Sequence, residues 1–377
     1  MSELEEPKSG RPVSDDRETR ARLRRFRIVI TLASLGGSLL LAMALIRFGV
    51  VPPGPFGWLV PGGADVVEYP VEKGALILEE PGAEKSGHRY LYDEQLGWRN
   101  IPNWKSTTFG RPLTINSKGL RDREYAYEKP LGVKRILVLG DSYAWGYGVA
   151  DADVFTEKLE AALEGEAVKW EVINTGVSGW STDQQYLFLR DEGLKYSPDV
   201  VLLAFCVAND FKGSLASSIY GLNKPLIGRN FGEFAGDPTA LPFVNQPTPK
   251  PGVTVGELQI PEVARRSVME ALFGGISGLT TRSGAVFSVA SFGRFVNPAH
   301  PMLKELSAEA RSIVAELPGA LYIDLDSEFS DRGVALPDLV DKSIAHEDHW
   351  DARGHRLVAE ILEGFLREKG VLGASAN

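Results

Sequence analysis

The stretch RILVLGDSYAWGYGV, residues 135–149, decides how the rest of the chain is read. An apolar run ends abruptly at Gly140-Asp141-Ser142. With its flanking residues, KRILVLG (134–140) reads as a buried strand. The turn beyond it carries a hydroxyl. Alone, Ser142 fits a turn or helix cap as well as it fits a nucleophile. The choice rests on what the rest of the chain brings to the same end of that strand.

Strand and helix signals alternate from residue 134 onward. WEVINTG (170–176), DVVLLAFCV (199–207) and ALYIDL (320–325) have strand character. DVFTEKLEAALEG (153–165) repeats apolar residues at Phe155, Leu159 and Leu163, a helical spacing. TDQQYLFLRDEGL (182–194) reads as a helix, and 302–317 places Leu306, Ala310, Ile313 and Leu317 on one helical face. The last helix, 352–370, lines up Leu357, Val358, Ile361, Leu362 and Phe365. Strands separated by helices predict an α/β domain with a central parallel sheet covered on both faces. Residues 199–207 are apolar on both faces and belong in its middle. Residues 211–298 interrupt the rhythm with many Gly and Pro. They include a predicted helix near 261–273 and an apolar stretch, GAVFSVASFGRF (284–295), that the pattern does not place. The main domain is therefore set at 134–377 with an insertion at 211–298.

The N-terminal third is organised differently. Residues 28–46, IVITLASLGGSLLLAMALI, carry no charge over 19 positions, long enough to cross a hydrocarbon core of roughly 30 Å. RARLRRFR (20–27) precedes this run with five arginines and no acid, which keeps that end cytoplasmic and exports the remainder of the chain. This pattern predicts a basic cytoplasmic tail at 1–27 and a transmembrane signal anchor at 28–48. Ala42-Met43-Ala44 also matches a signal-peptidase site, and cleavage there would export the same domain. Residues 49–63 form a Pro/Gly-rich linker. Residues 64–133, with short mixed runs and turn signals such as Asn116–Gly119, form an extension packed on the core.

Composition removes several function classes. Among 377 residues the net charge is −9, without the basic face of a nucleic-acid binder. Cys206 is the one cysteine, so no intramolecular disulfide and no zinc-type Cys/His cluster can form. No metal or organic cofactor is implied.

Sites in parallel α/β sheets form beyond the carboxyl ends of the strands. Ser142, Gly179, Asn209 and His349 all lie at such ends or just before the last helix. A serine hydroxyl needs a base to take its proton, and histidine is the usual one near neutral pH. A tetrahedral oxyanion needs preorganised donors: a backbone N–H at a glycine and a side-chain amide supply them. A carboxylate beside the histidine orients it and stabilises the imidazolium.

Four blocks within 134–370 resemble the SGNH, or GDSL-type, hydrolases, a superfamily of serine esterases. GDSYAWGYGV (140–149) resembles the first block, NTGVSGWST (174–182) the second, VAND (207–210) the third and HWDARGH (349–355) the last. The resemblance implies a flavodoxin-like three-layer α/β/α fold. It implies Ser142 as nucleophile, His349 as base, and the N–H groups of Ser142 and Gly179 with the Asn209 amide as oxyanion hole. Two positions depart from the pattern. Val207 stands where the third block normally has glycine. His346 stands where the acid usually precedes the histidine by three. Some relatives, among them periplasmic polysaccharide-acetylation enzymes of the alginate type, place the acid two before a His-Trp pair. That position is Glu347, the first candidate here, with the adjacent Asp348 the second.

The implied activity is hydrolysis of an O-acyl, chiefly O-acetyl, ester on an extracytoplasmic glycan through an acyl-enzyme. An O-acyltransferase using the same residues, and an inactive glycan-binding or scaffold protein, are the alternatives. Trp145, Trp180 and Trp350 flank the blocks; they read either as sugar-stacking platforms or as pocket-wall packing. Cys206 reads as a core residue, and His355 as packing near the start of the last helix. Asp141 and Asp210 read as holding their loops through backbone N–H groups. RDREYAYEKP (121–130) reads as a solvated charge run.

Overall fold

The computed structural model describes residues 77–79, 89–220, 222–227, 243–244, 264–293, 301–341 and 349–372, all in one unit of the chain, Tyr69–Asn377. The proposed anchor at 28–48, the basic tail, the linker 49–63, and both Glu347 and Asp348 lie outside the described residues. Among the described residues no helix is long and apolar enough to cross a membrane.

The first described elements are antiparallel. Strands β1 (Ile77–Glu79), β2 (Arg89–Asp93) and β3 (Gly97–Asn100) form one small sheet, and β4 (Lys105–Thr108) pairs with β5 (Arg111–Thr114). The α/β rhythm then begins with β6 (Val133–Leu139), the one-turn helix α1 (Ser142–Trp145), α2 (Phe155–Ala162) and β7 (Lys169–Asn174). It continues through α3 (Thr182–Asp191), β8 (Val200–Cys206) and the short α4 (Asp210–Ser214). Next come four two-residue strands: β9 (Ser218–Ile219) pairs with β10 (Leu222–Asn223), and β11 (Leu226–Ile227) with β12 (Phe243–Val244). Helix α5 (Arg265–Arg282), β13 (Val286–Phe292), α6 (Pro301–Ala315), β14 (Leu321–Asp324), α7 (Leu325–Asp331) and α8 (Ala352–Glu368) complete the chain.

Strands β7, β6, β8, β13 and β14 form the central sheet in that order, every neighbouring pair parallel. Numbered along the chain this is the flavodoxin-like order 2-1-3-4-5, whose switch point lies between the first and third strands. Those strands are β6 and β8, and Ser142 and Asn209 come directly after them.

The period-2 alternation of side chains builds two cores. Ile136 and Val138 of β6 and Val200, Leu202, Ala204 and Cys206 of β8 join one cluster, with Phe155 and Leu159 of α2 and Ile361 and Phe365 of α8. Leu137, Leu139, Val201, Leu203 and Phe205 join the other, with Leu187 of α3, Leu272 of α5 and Ile313 of α6. Helices therefore cover both faces, as the alternating sequence pattern predicts. Each fully buried Leu or Phe contributes about 1.5–3 kcal/mol relative to exposure.

Two expectations need correction. The stretch 284–295, unplaced in the sequence, contains β13, which pairs with both β8 and β14. With α5 beside it, part of the interval 211–298 is core rather than insertion. The physical reason is that Ser288 and Ser291 break the apolar run, yet both are small enough to sit fully buried in the sheet. The run 121–130 is a solvated surface only in part: Arg123, Glu124, Ala126, Tyr127, Glu128 and Pro130 face solvent, while Arg121, Asp122 and Tyr125 are buried.

Candidate active site

The loop that carries Ser142 is built by its own sequence. The Asp141 carboxylate accepts the Tyr143 N–H at 3.0 Å and so caps α1 at its start. Gly146, with φ +89°, ends the helix after one turn, and a Cβ there would collide with Val154. Ser142 is thereby held at the first helical position beyond β6. The C-terminal end of the turn is gripped by Arg121, which donates to the Trp145 and Val149 carbonyls at 2.9 and 2.7 Å and to Asp151 at 2.9 Å.

His349 meets this serine from 207 residues away. Ser142 Oγ and His349 Nε2 are 2.8 Å apart. The imidazole stacks on Tyr143, with centroids 4.5 Å apart and planes 20° from parallel, and on Tyr147 at 4.4 Å and 29°. Tyr143 leans edge-on against Phe292 and Trp350, and Tyr147 against Phe109. His349 is thus wedged among aromatic rings that begin on the same helix as Ser142.

Asn209 sits beyond β8, and its Nδ2 donates to Asp141 Oδ2 at 2.7 Å. An amide nitrogen carries two hydrogens, so one N–H remains after Asp141 takes its share. Burial pushes the Asp141 carboxyl up, against the pull of the Asn209 amide, the Tyr143 N–H and His349. Asp210 is pushed well up by burial and then by Asp141. It accepts the Cys206 N–H and the Thr182 hydroxyl, at 2.7 and 3.1 Å. Both aspartates hold backbone loops, as read from the sequence. Val207 is buried, and its N–H bonds the Phe292 carbonyl at 2.8 Å.

Gly179 lies in the loop after β7 with φ +79°, a conformation that favours glycine. Strand β3 fixes this loop. Trp98 Nε1 donates to the Ser178 carbonyl at 3.1 Å, Trp180 Nε1 donates to the Trp98 carbonyl at 2.9 Å, and Asn100 Nδ2 reaches the Gly176 carbonyl at 3.4 Å. Over Gly179 lies the ring of Tyr220: a Cβ added to the glycine would stand 3.3 Å from its Cδ2. A cavity of about 450 Å³ opens between this loop, β2–β3 and α3, lined by Leu120, Val177, Trp180 and Phe188; Ser142, His349 and Asn209 do not line it.

The structure thus brings Ser142 and His349 into contact and ties Asn209 to Asp141, which caps the helix of Ser142. Glu347 and Asp348 lie outside the described residues. Trp145, Trp180 and Trp350 are all buried, at 1–2% exposure, which is the packing alternative rather than the sugar-platform one. Cys206 is buried with its thiol pushed up by burial, which leaves it unreactive. His355 is buried in α8 and its Nδ1 accepts the Phe155 N–H at 3.1 Å. Sequence reasoning missed Tyr143, Tyr147, Arg121 and Tyr220. Tyr143 and Tyr147 lie in the same block as Ser142, GDSYAWGYGV, which was the available signal. Among the described residues no cluster of His, Cys, Asp and Glu is placed to hold a metal ion.

A serine–histidine pair at the switch point of a flavodoxin-like parallel sheet has the geometry of a serine hydrolase. Residues 138–357 match the GDSL-like lipase/acylhydrolase family, and the chain belongs to that family of ester-hydrolysing enzymes. Solved structures similar to it include a lipase/acylhydrolase from Enterococcus faecalis, at 17% identity and TM-score 0.40, covering 63% of this chain and 96% of that one. An acetylxylan esterase from Geobacillus stearothermophilus shares 15% identity at TM-score 0.40, covering 64% and 97%. A two-domain esterase active on acetylated mannans shares 13% at TM-score 0.40, covering 65% and 53%. A comparison with curated proteins finds no match.

Proposed function

We propose that the chain is an extracytoplasmic serine esterase that cleaves O-acetyl esters on a glycan through an acyl-enzyme at Ser142. The observation that carries this is the 2.8 Å contact between Ser142 Oγ and His349 Nε2. Ser142 Oγ attacks the ester carbonyl as His349 Nε2 takes its proton, a role worth about 10²–10⁴ in rate. The oxyanion is received by the N–H groups of Ser142 and Gly179 and by the remaining Asn209 N–H. His349 then returns the proton to the departing sugar hydroxyl. Water, deprotonated by the same histidine, releases acetate and restores the serine. Glu347 is the proposed orienting acid, with Asp348 as the alternative.

The compartment rests on the uncharged run 28–46 and the arginines before it, which favour an anchor with the catalytic domain outside the cytoplasm.

Labelling of the full-length chain with a fluorophosphonate serine probe tests the reading. Wild-type labelling should disappear in Ser142→Ala and His349→Ala. Labelling that survives Ser142→Ala, or a folded wild type that takes no label, would remove Ser142 as nucleophile.

A further inference from the structure

We infer that Tyr220 is the sugar-stacking platform of the site, a specificity residue that binds a pyranose ring beside the oxyanion hole. The inference rests on the esterase reading for the position of that hole. Three observations carry it.

The first is position. Tyr220 stands at the tip between β9 and β10, and its ring lies over Gly179, the proposed oxyanion donor: Cδ2 and Cε2 would stand 3.3 and 3.4 Å from a Cβ built there. The second is exposure. Tyr220 is 58% exposed, whereas the three tryptophans around the blocks are buried. The third is backbone cost. Tyr220 has φ +51°, in the left-handed region. A hairpin tip of this kind favours Asn, Asp or Gly, and a bulky aromatic there is unusual. Residues held at such values point to what their side chains do.

The hairpin is also firmly seated. The Lys224 N–H bonds the Ser217 carbonyl at 2.8 Å, and the buried Lys224 ammonium pairs with Asp183 at the start of α3. The ring is therefore presented by an anchored turn. Ser218, Ile219 and Asn223 on the two strands that carry the tip stay partly exposed. An exposed aromatic face suits a pyranose, which offers C–H groups on one face and hydroxyls at its edge. An acyl chain needs a longer apolar surface than one ring supplies.

The test separates binding from catalysis. Full-length Ser142→Ala and Ser142→Ala/Tyr220→Ala proteins are titrated with O-acetylated xylotetraose and O-acetylated mannotetraose by calorimetry. Hydrolysis of both oligosaccharides, 4-nitrophenyl acetate and 4-nitrophenyl octanoate is measured for wild type, Tyr220→Ala, Tyr220→Phe and Tyr220→Trp. Removing the ring should weaken binding of at least one oligosaccharide by about five- to tenfold, the order of one aromatic contact. Tyr220→Phe and Tyr220→Trp should restore it, and the loss on Tyr220→Ala should be larger for the oligosaccharides than for 4-nitrophenyl acetate. Ring-dependent oligosaccharide binding in a protein that hydrolyses no ester would uphold the platform and remove the esterase reading. Active enzyme whose oligosaccharide binding ignores Tyr220, or a loss confined to the octanoate ester, would overturn the platform and leave the esterase reading standing.

Discussion

The imidazole of His349 lies face to face with the ring of Tyr147, 4.4 Å between centroids and 29° from parallel. Contacts of this kind contribute about 0.5–1.5 kcal/mol beyond buried area, and a π face favours the cation that forms when Ser142 yields its proton. Tyr147→Leu should lower kcat by roughly three- to tenfold with KM little changed, whereas Tyr147→Phe should stay near wild type. Steady-state kinetics on 4-nitrophenyl acetate decide this. Equal losses in the two variants would assign the effect to the phenol hydroxyl instead of the ring.

The Asn209 amide donates to Asp141 Oδ2 at 2.7 Å, which fixes the remaining N–H that the proposed mechanism offers to the oxyanion. Loss of one preorganised oxyanion donor typically costs about 10²–10³ in kcat. Asn209→Ala should fall in that range, with a lower Tm because the buried Asp141 carboxylate loses a donor. A loss below tenfold would show that the two backbone N–H groups suffice.

Lys224 and Asp183 are both fully buried, each with side-chain exposure of 0%, and Asp183 also accepts the Ser181 hydroxyl at 2.9 Å and the Gln184 N–H at 2.9 Å. Removing one member of such a pair strands the other charge, at a cost of about 3–5 kcal/mol. Lys224→Met should show that loss in urea unfolding. Lys224→Met/Asp183→Asn should recover much of it, because the amide can still accept from Ser181 without carrying charge. Additive losses in the double variant would show that the ammonium and the carboxylate do not act as a pair.

Burial, with Arg121 adding to it, pushes the His355 imidazole down to about 3. An unfolded histidine takes its proton near 6.5. Above that pH the residue has no net effect. Below it the unfolded chain binds a proton the native state refuses, so stability declines as pH falls from about 6.5 toward 3, at up to about 1.4 kcal/mol per pH unit. His355→Gln keeps an acceptor for the Phe155 N–H and removes this titration. The gap in Tm between wild type and variant, measured at pH 7.5 and pH 5, should shift in favour of the variant at the lower pH. A constant gap would mean that His355 is protonated in the native state.

The central strand that leads to the site was legible because it is apolar on both faces. Val200–Cys206 is buried throughout and can only be central. Strand β13 was harder, since two serines interrupt it and only their small size reveals why the sheet accepts them. Ser142 and His349, 2.8 Å apart in the structure, were legible from the blocks that resemble the family. The fate of the tryptophans was not. Their burial depends on strand β3, whose Asn100 accepts the Trp145 indole N–H at 3.0 Å and whose Trp98 carbonyl accepts that of Trp180. Such pairings across some forty to eighty residues leave no local periodicity. Arg121 was hidden for the opposite reason. It stands in a run of charges, yet its donors are satisfied by carbonyls that only the folded nucleophile turn presents.

Strand β3 lies outside residues 138–357, yet three of its side chains or carbonyls bond the loop that carries Gly179 and the helix that carries Ser142. The hydrolase is therefore not modular at the boundary that family membership draws. Grafting the family segment alone onto another protein would carry the reactive groups across and leave behind the wall they lean on. Any transplant of this activity has to begin upstream of Trp98.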